Sequence, residues 1–333
     1  MAKTKNKKNP RRTKKNICNP NSRKKKVTKY SCFTPSALEL LKNMYNEKNP
    51  DRPLKETNPI NILREMKLKT NKKCKDDTCL IESFTANTRD RKMLKTLLYP
   101  PPKPSQWNVS KMKKDEDIWL SDEDIKDVLN QYEQAYSHFA FIGPSPIDYN
   151  TRLNDNNCVC PKLCNLNIEK YLQPDNGKNP ITEIGVVFNL DPHYKGGSHW
   201  VALFIDMKED FIFYFDSTAA EIPKLIFQLV KEIQSQGSLL KNPKQFTFHQ
   251  NTLTEHQKSN TECGMYCLYF TITMLLREKE INYDSPNSSE KMTKEELFAL
   301  FKGRKRGSRN KKRIDDSIVY KKRNEYFSGP YTI

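Results

Sequence analysis

A histidine, an acid, an amide and a thiol follow one another along this chain as His199, Asp216, Gln257 and Cys263. His199 lies in Gly196-Gly197-Ser198-His199-Trp200. Asp216 lies in Phe213-Tyr214-Phe215-Asp216-Ser217, and Cys263 in Thr261-Glu262-Cys263-Gly264-Met265-Tyr266-Cys267. A neutral thiol is a weak nucleophile, because an ordinary pKa of about 8.5 leaves little thiolate at neutral pH. A histidine within reach can take the proton, and a helix N-terminus favours the resulting anion. An aspartate can fix the imidazole tautomer and stabilise the imidazolium. A side-chain amide N–H, with the backbone N–H of the nucleophile, can hold the oxyanion of a tetrahedral intermediate. These are the parts of a cysteine protease.

The surrounding sequence predicts elements that would bring the four together. Met265, Leu268, Tyr269, Ile272, Leu275 and Leu276 recur at near-helical spacing over 264–277, with the single glycine at the front, so Cys263 opens a buried helix. Every residue from Trp200 to Ile205 is apolar, which reads as a strand buried on both faces. A turn near Asp210 and a second strand over 211–215 complete a hairpin, with His199 and Asp216 at nearby ends of neighbouring strands. Asp206 is the rival acid, but it sits at the far end of the histidine strand. Each piece also has a plainer reading. His199 could be a core histidine, Asp216 a turn cap, and Cys263 a structural thiol like Cys267 one turn later. His249 and His256 read as surface or locally hydrogen-bonded residues, and His193 as a residue bordering the cleft.

Taken together, these motifs resemble the ubiquitin-like-protein protease clan. That clan includes the SUMO deconjugating proteases and the virion-maturation proteases of large DNA viruses of the asfarvirus and adenovirus type. The family pattern is His-Trp, an Asp or Asn after the next strand, then Gln, then Cys-Gly. Here His199 precedes Asp216 by 17 positions and Gln257 precedes Cys263 by 6. The resemblance implies His199 as base, Asp216 as its orienting acid, Gln257 as oxyanion donor and Cys263 as nucleophile. Trp200 would wall a narrow channel for the substrate's C-terminal glycines. The run from Ile118 to Ile125 looks like the first helix of that family's catalytic domain. The implied fold is α+β and papain-like, with helices packed on a short mixed central sheet. No metal or other cofactor is expected for the reaction, and likeness to the adenovirus protease extends to stimulation by DNA.

At 333 residues the chain has room for two domains. The net charge is +18, unevenly placed. Residues 1–30 hold 13 Lys or Arg and no Asp or Glu, and 302–313 hold 8 with no acid. The arm at 1–30 is expected to be disordered, and both basic runs suit a polyanion such as nucleic acid. A solvated tail or an import signal would carry the same composition. A helical module is expected over 31–98, with Thr34 capping one helix and others at 61–68 and 89–98. A proline-rich linker follows at 99–114, then the catalytic domain at 115–301 and a basic tail at 302–333. Within the catalytic domain, helices are expected at 121–136, 222–236, 264–277 and 293–301. Strands are expected at 139–142, 184–189, 199–206, 211–216 and 245–249.

No apolar stretch marks a secretory signal, and no window is apolar enough to span a membrane. Nine cysteines without such a signal predict mostly free thiols. The cluster Cys158, Cys160, Cys164 and the pair Cys74, Cys79 lack standard zinc spacing. The expected activity is amide hydrolysis through an acyl-enzyme on Cys263, after small residues of the Gly-Gly-X type. The substrates would be structural precursors cleaved during particle maturation, in virion and host cytoplasm, with the nucleus as a further site. The run Gly143-Pro144-Ser145-Pro146-Ile147-Asp148 resembles the viral members of the clan. The main alternative is a SUMO or ubiquitin-like-protein deconjugating enzyme. A packaging protein with a degenerate protease domain, or an acyltransferase of related fold, are further readings.

Overall fold

A computed structural model describes residues 17–71, 73–74, 76–104, 119–154, 157–174, 179–279, 291–303 and 313–328. The chain divides into two compact units, one running to Tyr99 and the other starting at Pro100. The first unit holds α1 (Pro20–Lys25), α2 (Pro35–Lys48), α3 (Pro59–Lys69), α4 (Asp77–Phe84) and α5 (Thr88–Leu98). Their starts are written in the sequence. Asn19, Thr34, Asn58, Asp76 and Asn87 each accept a backbone N–H of the first turn, and proline opens three of the five helices. Phe33, Leu38, Leu41, Ile62, Leu80, Leu94 and Leu98 form the core between them.

The second unit contains α6 (Asp122–Ala135), β1 (Phe139–Pro146), β2 (Arg152–Asn154), β3 (Asn157–Cys158), α7 (Pro161–Cys164), α8 (Ile168–Leu172), β4 (Glu183–Asn189), β5 (Trp200–Asp206) and β6 (Phe211–Phe215). It continues with α9 (Lys224–Ser238), β7 (Thr247–Gln250), α10 (Cys263–Leu276), α11 (Lys294–Lys302) and α12 (Asp316–Tyr326). The main sheet has the order β1-β4-β5-β6-β7, with parallel outer pairings and antiparallel inner ones. This is the α+β class expected. Alternation along β5 sends Trp200, Ala202 and Phe204 to one face and Val201, Leu203 and Ile205 to the other. The first face packs under α6, α10, α11 and α12, and the second against α9. Both faces are therefore dry, which is why β5 reads as an unbroken apolar run.

Helix α10 lies close against the sheet. A Cβ on Gly185 would stand 2.8 Å from Thr271 Cγ2 and 3.1 Å from the Phe139 ring, so glycine is what permits the approach. Phe215 and Phe270 stack at 4.8 Å across the same interface. All 14 residues of α10 are buried, so this helix is hydrophobic all round rather than amphipathic.

Several expectations need correction. Residues 17–30, expected within the arm, include α1 and a disulfide joining Cys18 to Cys32, because Asn19 both caps α1 and donates to the Leu97 carbonyl. The rest of the arm, 1–16, lies outside the described residues. Disulfides also join Cys74 to Cys79 and Cys158 to Cys164, so mostly free thiols were the wrong expectation. Cys160, Cys263 and Cys267 are the free cysteines among the described residues. In the expected linker, Pro101 and Lys103 exchange backbone hydrogen bonds with Ser328, so the proline run flanks the C-terminal segment; residues 105–114 lie outside the described residues.

The expected basic tail is the largest difference. Its residues Ile314, Val319, Tyr326 and Phe327 are buried in the core that holds Cys263. The pattern was masked by the lysines and arginines around it, although Asp315 supplies an ordinary N-cap. The basic residues 304–312 lie outside the described residues. No helix among the described residues is long and apolar enough to cross a membrane.

Candidate active site

His199 immediately precedes β5 and Asp216 immediately follows β6. These strands are antiparallel neighbours, with Ala202 opposite Phe215, so the hairpin delivers the two side chains to one end of the sheet. His199 Nε2 donates to Asp216 Oδ1 at 2.8 Å. The same carboxylate oxygen accepts the Thr218 N–H and hydroxyl, each at 2.8 Å. Asn251 brackets the Asp216 backbone, accepting its N–H at 2.9 Å and donating to its carbonyl at 2.6 Å. The acid is held by backbone and side chain alike, at 1% exposure, while the His199 side chain keeps 20% and stays reachable. Asp206, the rival acid, is engaged elsewhere. It caps the β5–β6 turn and pairs with Arg277 at 2.7 Å.

Cys263 opens α10, where the dipole is positive. Its thiol lies within hydrogen-bonding reach of the His199 ring. With Nε2 committed to Asp216, Nδ1 is the nitrogen left for sulfur. Burial of the ring disfavours its charge, but the Asp216 hydrogen bond, the Cys263 contact and the Asp216 charge outweigh it and push His199 up to about 10. The geometry therefore favours an imidazolium beside Sγ at neutral pH. Cys267, one turn along, is fully buried, and burial pushes its thiol well up, which keeps it protonated and inert.

Gln257 is oriented through both ends of its amide. Ser217 Oγ donates to its Oε1 at 2.7 Å, and its Nε2 donates one hydrogen to the Ser259 carbonyl at 2.6 Å. The second Nε2 hydrogen remains for an oxyanion. The Ser217 carbonyl accepts the N–H groups of both His256 and Gln257, so the loop is docked onto the residue after Asp216. Ser217 carries no signal in the sequence beyond its place next to Asp216, where it reads as turn chemistry.

Trp200 stands beside Gly264, the residue after Cys263. A Cβ on Gly264 would come within 3.3 Å of the Trp200 ring and 3.0 Å of Leu120. The indole N–H donates to the Leu120 carbonyl at 3.0 Å, which fixes the ring. A cleft of about 490 Å³ opens on this side, lined by Trp119, Leu120, Pro144, Asp191, Gly197 and Trp200, with His193 also on its wall. Gly197 sits at φ +90, and a Cβ there would meet the Asn189 amide at 2.5 Å. His193 pairs with Asp148 at 2.7 Å.

His256 differs from expectation, whereas His249 keeps a local hydrogen bond with Thr247 at 3.1 Å. His256 is fully buried. Its Nε2 donates to the Phe301 carbonyl at 2.8 Å and its Nδ1 accepts the Ile314 N–H at 3.0 Å. His249 is half-buried and accepts from the Lys302 ammonium at 2.9 Å. No group of three or more metal-binding side chains occurs among the described residues. Cys158 and Cys164 are joined to each other, leaving Cys160 as the thiol of that cluster.

Residues 178–312 match the model of the Ulp1 protease family, C-terminal catalytic domain. Over those residues the chain is similar to the Ulp1 catalytic domain. The match spans His199, Asp216, Gln257 and Cys263 and ends before α12. A thiol protease of Acanthamoeba polyphaga mimivirus is 35% identical over 161 residues, covering 48% of this chain and 49% of that protein. The SUMO-1 cysteine protease of African swine fever virus is 31% identical over 131 residues, covering 39% of this chain and 46% of that protein. The chain thus matches about half the length of these curated relatives. The crystal structure of the African swine fever virus protease has the same fold, with a TM-score of 0.55 and 22% identity over 94% of this chain and 96% of that one. The Ulp1-like domain accounts for the hairpin, the Gln257 loop and α10, whereas α12 is supplied from beyond it.

Proposed function

We propose that the chain is a cysteine endopeptidase acting through an acyl-enzyme on Cys263. The observation that carries this reading is one imidazole, His199, bonded to a buried aspartate on one side and in contact with the Cys263 thiol at a helix N-terminus on the other. Sγ attacks the scissile carbonyl, and the negative oxygen is held by Gln257 Nε2–H and the Cys263 N–H. As the first residue of α10, Cys263 has no carbonyl one turn earlier to engage that N–H. The C–N bond breaks as His199 gives its proton to the leaving amine. Water then attacks the thioester, His199 takes its proton, and the acid is released with Cys263 restored.

The proposed substrates carry small residues, of the Gly-Gly-X type, before the scissile bond. The Trp200 ring and Leu120 crowd the space over Gly264, which supports a channel too narrow for branched side chains. The thiol and SUMO-1 cysteine proteases matched here come from large viruses. That supports a role in cleaving structural precursors during particle assembly, in the virion and host cytoplasm. The name of the second relative equally supports a ubiquitin-like modifier as substrate. The net charge of +18 supports nucleic acid as a further partner, with DNA stimulating cleavage.

The test is cleavage of a Gly-Gly-X peptide panel and of a SUMO-tagged protein by wild type and Cys263→Ala, at two salt concentrations, with and without DNA. Peptide cleavage that vanishes in Cys263→Ala supports precursor processing. Cleavage of the SUMO fusion alone moves the function to deconjugation. A rate indifferent to DNA and salt removes nucleic acid from the mechanism, and no cleavage under any condition removes the protease reading.

A further inference from the structure

The Ulp1-family match ends at residue 312, yet side chains of α12 return to both halves of the catalytic apparatus. The first return is Arg323, whose guanidinium donates to the Glu262 carboxylate. Both side chains are nearly sealed from solvent, at 4% and 3% exposure. Glu262 immediately precedes Cys263 and occupies the N-cap position of α10 without making a side-chain cap. A bare carboxylate there would oppose negative charge on Sγ and offset the helix dipole. Arg323 neutralises it.

The second return is Asp316. Its carboxylate accepts the N–H of Lys258, at 3.2 and 3.1 Å, and that of Ser259 at 3.2 Å. It also accepts the Tyr266 hydroxyl at 2.8 Å. Ser259 is the residue whose carbonyl holds Gln257 Nε2, and Tyr266 lies one turn beyond Cys263 on α10. One carboxylate therefore ties the turn that aims Gln257 to the helix that carries the nucleophile.

We infer that Asp316 and Arg323, on a helix beyond the matched family domain, are positioning residues: Arg323 by neutralising Glu262 beside Cys263, Asp316 by fixing the 257–259 turn. The inference rests on the protease reading for the roles of Cys263 and Gln257. Among the described residues, His199 with Asp216 behind it and Cys267 act on or with the Cys263 thiol, and Glu262, paired with Arg323, precedes it in the chain. Changing only that pair leaves the others in place.

The first arm needs no substrate. Alkylation of Cys263 by iodoacetamide is followed against pH on the full chain, with peptide mapping to separate Cys160. Arg323→Met removes the guanidinium that faces Glu262, so its profile moves alkaline by about one pH unit or more. Glu262→Gln moves it acid, Arg323→Lys stays near wild type, and Glu262→Gln with Arg323→Met falls between. Coincident profiles overturn the role of Arg323. The double variant removes both charges of the pair, so its comparison with Glu262→Gln gives the same answer if Arg323→Met does not fold.

The second arm measures kcat for Asp316→Ala in the wild-type and Gln257→Ala backgrounds. A residue acting through Gln257 costs about 10- to 100-fold in the first and under about 2-fold in the second. An equal loss in both marks structural support only and overturns the role of Asp316. Asp316→Asn keeps an acceptor oxygen and gives the same comparison should Asp316→Ala fail to fold. A wild type that alkylates normally but cleaves nothing would sink the protease reading while leaving the first arm intact.

Discussion

Ser217 Oγ donates to Gln257 Oε1 at 2.7 Å, and this bond sets which end of the amide is oxygen, leaving Nε2 to donate to the Ser259 carbonyl. A glutamine amide is nearly symmetric in shape, and only its nitrogen can serve an oxyanion. With Ser217→Ala the amide loses the donor that sets its orientation. The expected result is a fall in kcat of roughly 10-fold with KM little changed, below the 10²–10³ that loss of an oxyanion donor costs. Steady-state kinetics on a cleavable peptide checks this. In a Gln257→Ala background the Ser217 substitution should add almost nothing.

Asp216→Asn preserves an oxygen acceptor for His199 Nε2 but removes the charge that favours the imidazolium. His199, pushed up to about 10 with Asp216 in place, should then lose its proton at lower pH. The alkaline limb of kcat/KM against pH therefore moves toward neutrality, and the rate at pH 7 falls less than in Asp216→Ala. For Asp216→Ala the loss of orientation as well as charge predicts about 10²–10⁴. An alkaline limb that stays in place in both variants would show that Asp216 does not govern the imidazole.

His199, Asp216 and Cys263 were legible because each sits at the end of an element whose pattern is plain, whereas Gln257 lies in the loop between β7 and α10 and was read from the motif alone. The apolar β5 run and the glycine-fronted α10 both mark their own boundaries. Ser217 and Asn251 were not legible, because a hydroxyl or amide aimed at one neighbour leaves no periodic trace. His256 was misread for a related reason. It stands in a polar stretch, and only the fold shows Phe301 and Ile314 closing over it. The C-terminal segment was hidden by its charge. Arg323 looks like one more tail residue until Glu262 is placed against it. Composition describes what a segment would do in water, whereas burial of Val319 and Tyr326 depends on a surface that another part of the chain supplies.

Trp200→Ala should loosen selectivity more than it slows the reaction on the small substrate. The ring stands over Gly264 and is pinned by the Leu120 carbonyl, so its loss widens the space over Gly264. A Gly-Gly-X peptide and one with valine before the scissile bond should converge in kcat/KM, their ratio falling by roughly 10- to 200-fold. Trp200→Phe keeps most of the bulk and should keep most of the ratio. Unchanged discrimination in Trp200→Ala would place the selecting wall elsewhere.

The contribution of His256 to stability should fall on mild acidification. Its Nδ1 accepts the Ile314 N–H, so a proton there would break the bond and charge a buried ring. Burial, with Arg313 nearby, holds the ring below its ordinary pKa against the opposing Phe301 hydrogen bond. His249 is likewise held down to about 4 by burial, with Lys302 and Lys294 adding to the effect. A group with a depressed folded pKa contributes stability that is fully present above its unfolded value of about 6.5 and lost as pH falls through the folded one. Glu183 acts oppositely. Burial raises it to about 7, so its contribution is full below the ordinary carboxylate range and lost as pH rises through 7. The difference between wild type and His256→Gln cancels Glu183 and His249, which both proteins share. His256→Gln should be less stable at pH 7.5, since Gln cannot span Phe301 and Ile314 as the ring does. The gap in Tm should narrow as pH is lowered from 7.5 toward 5, because only wild type has an imidazole at position 256 to charge. A gap independent of pH would mean that His256 is protonated in the fold or reached by solvent.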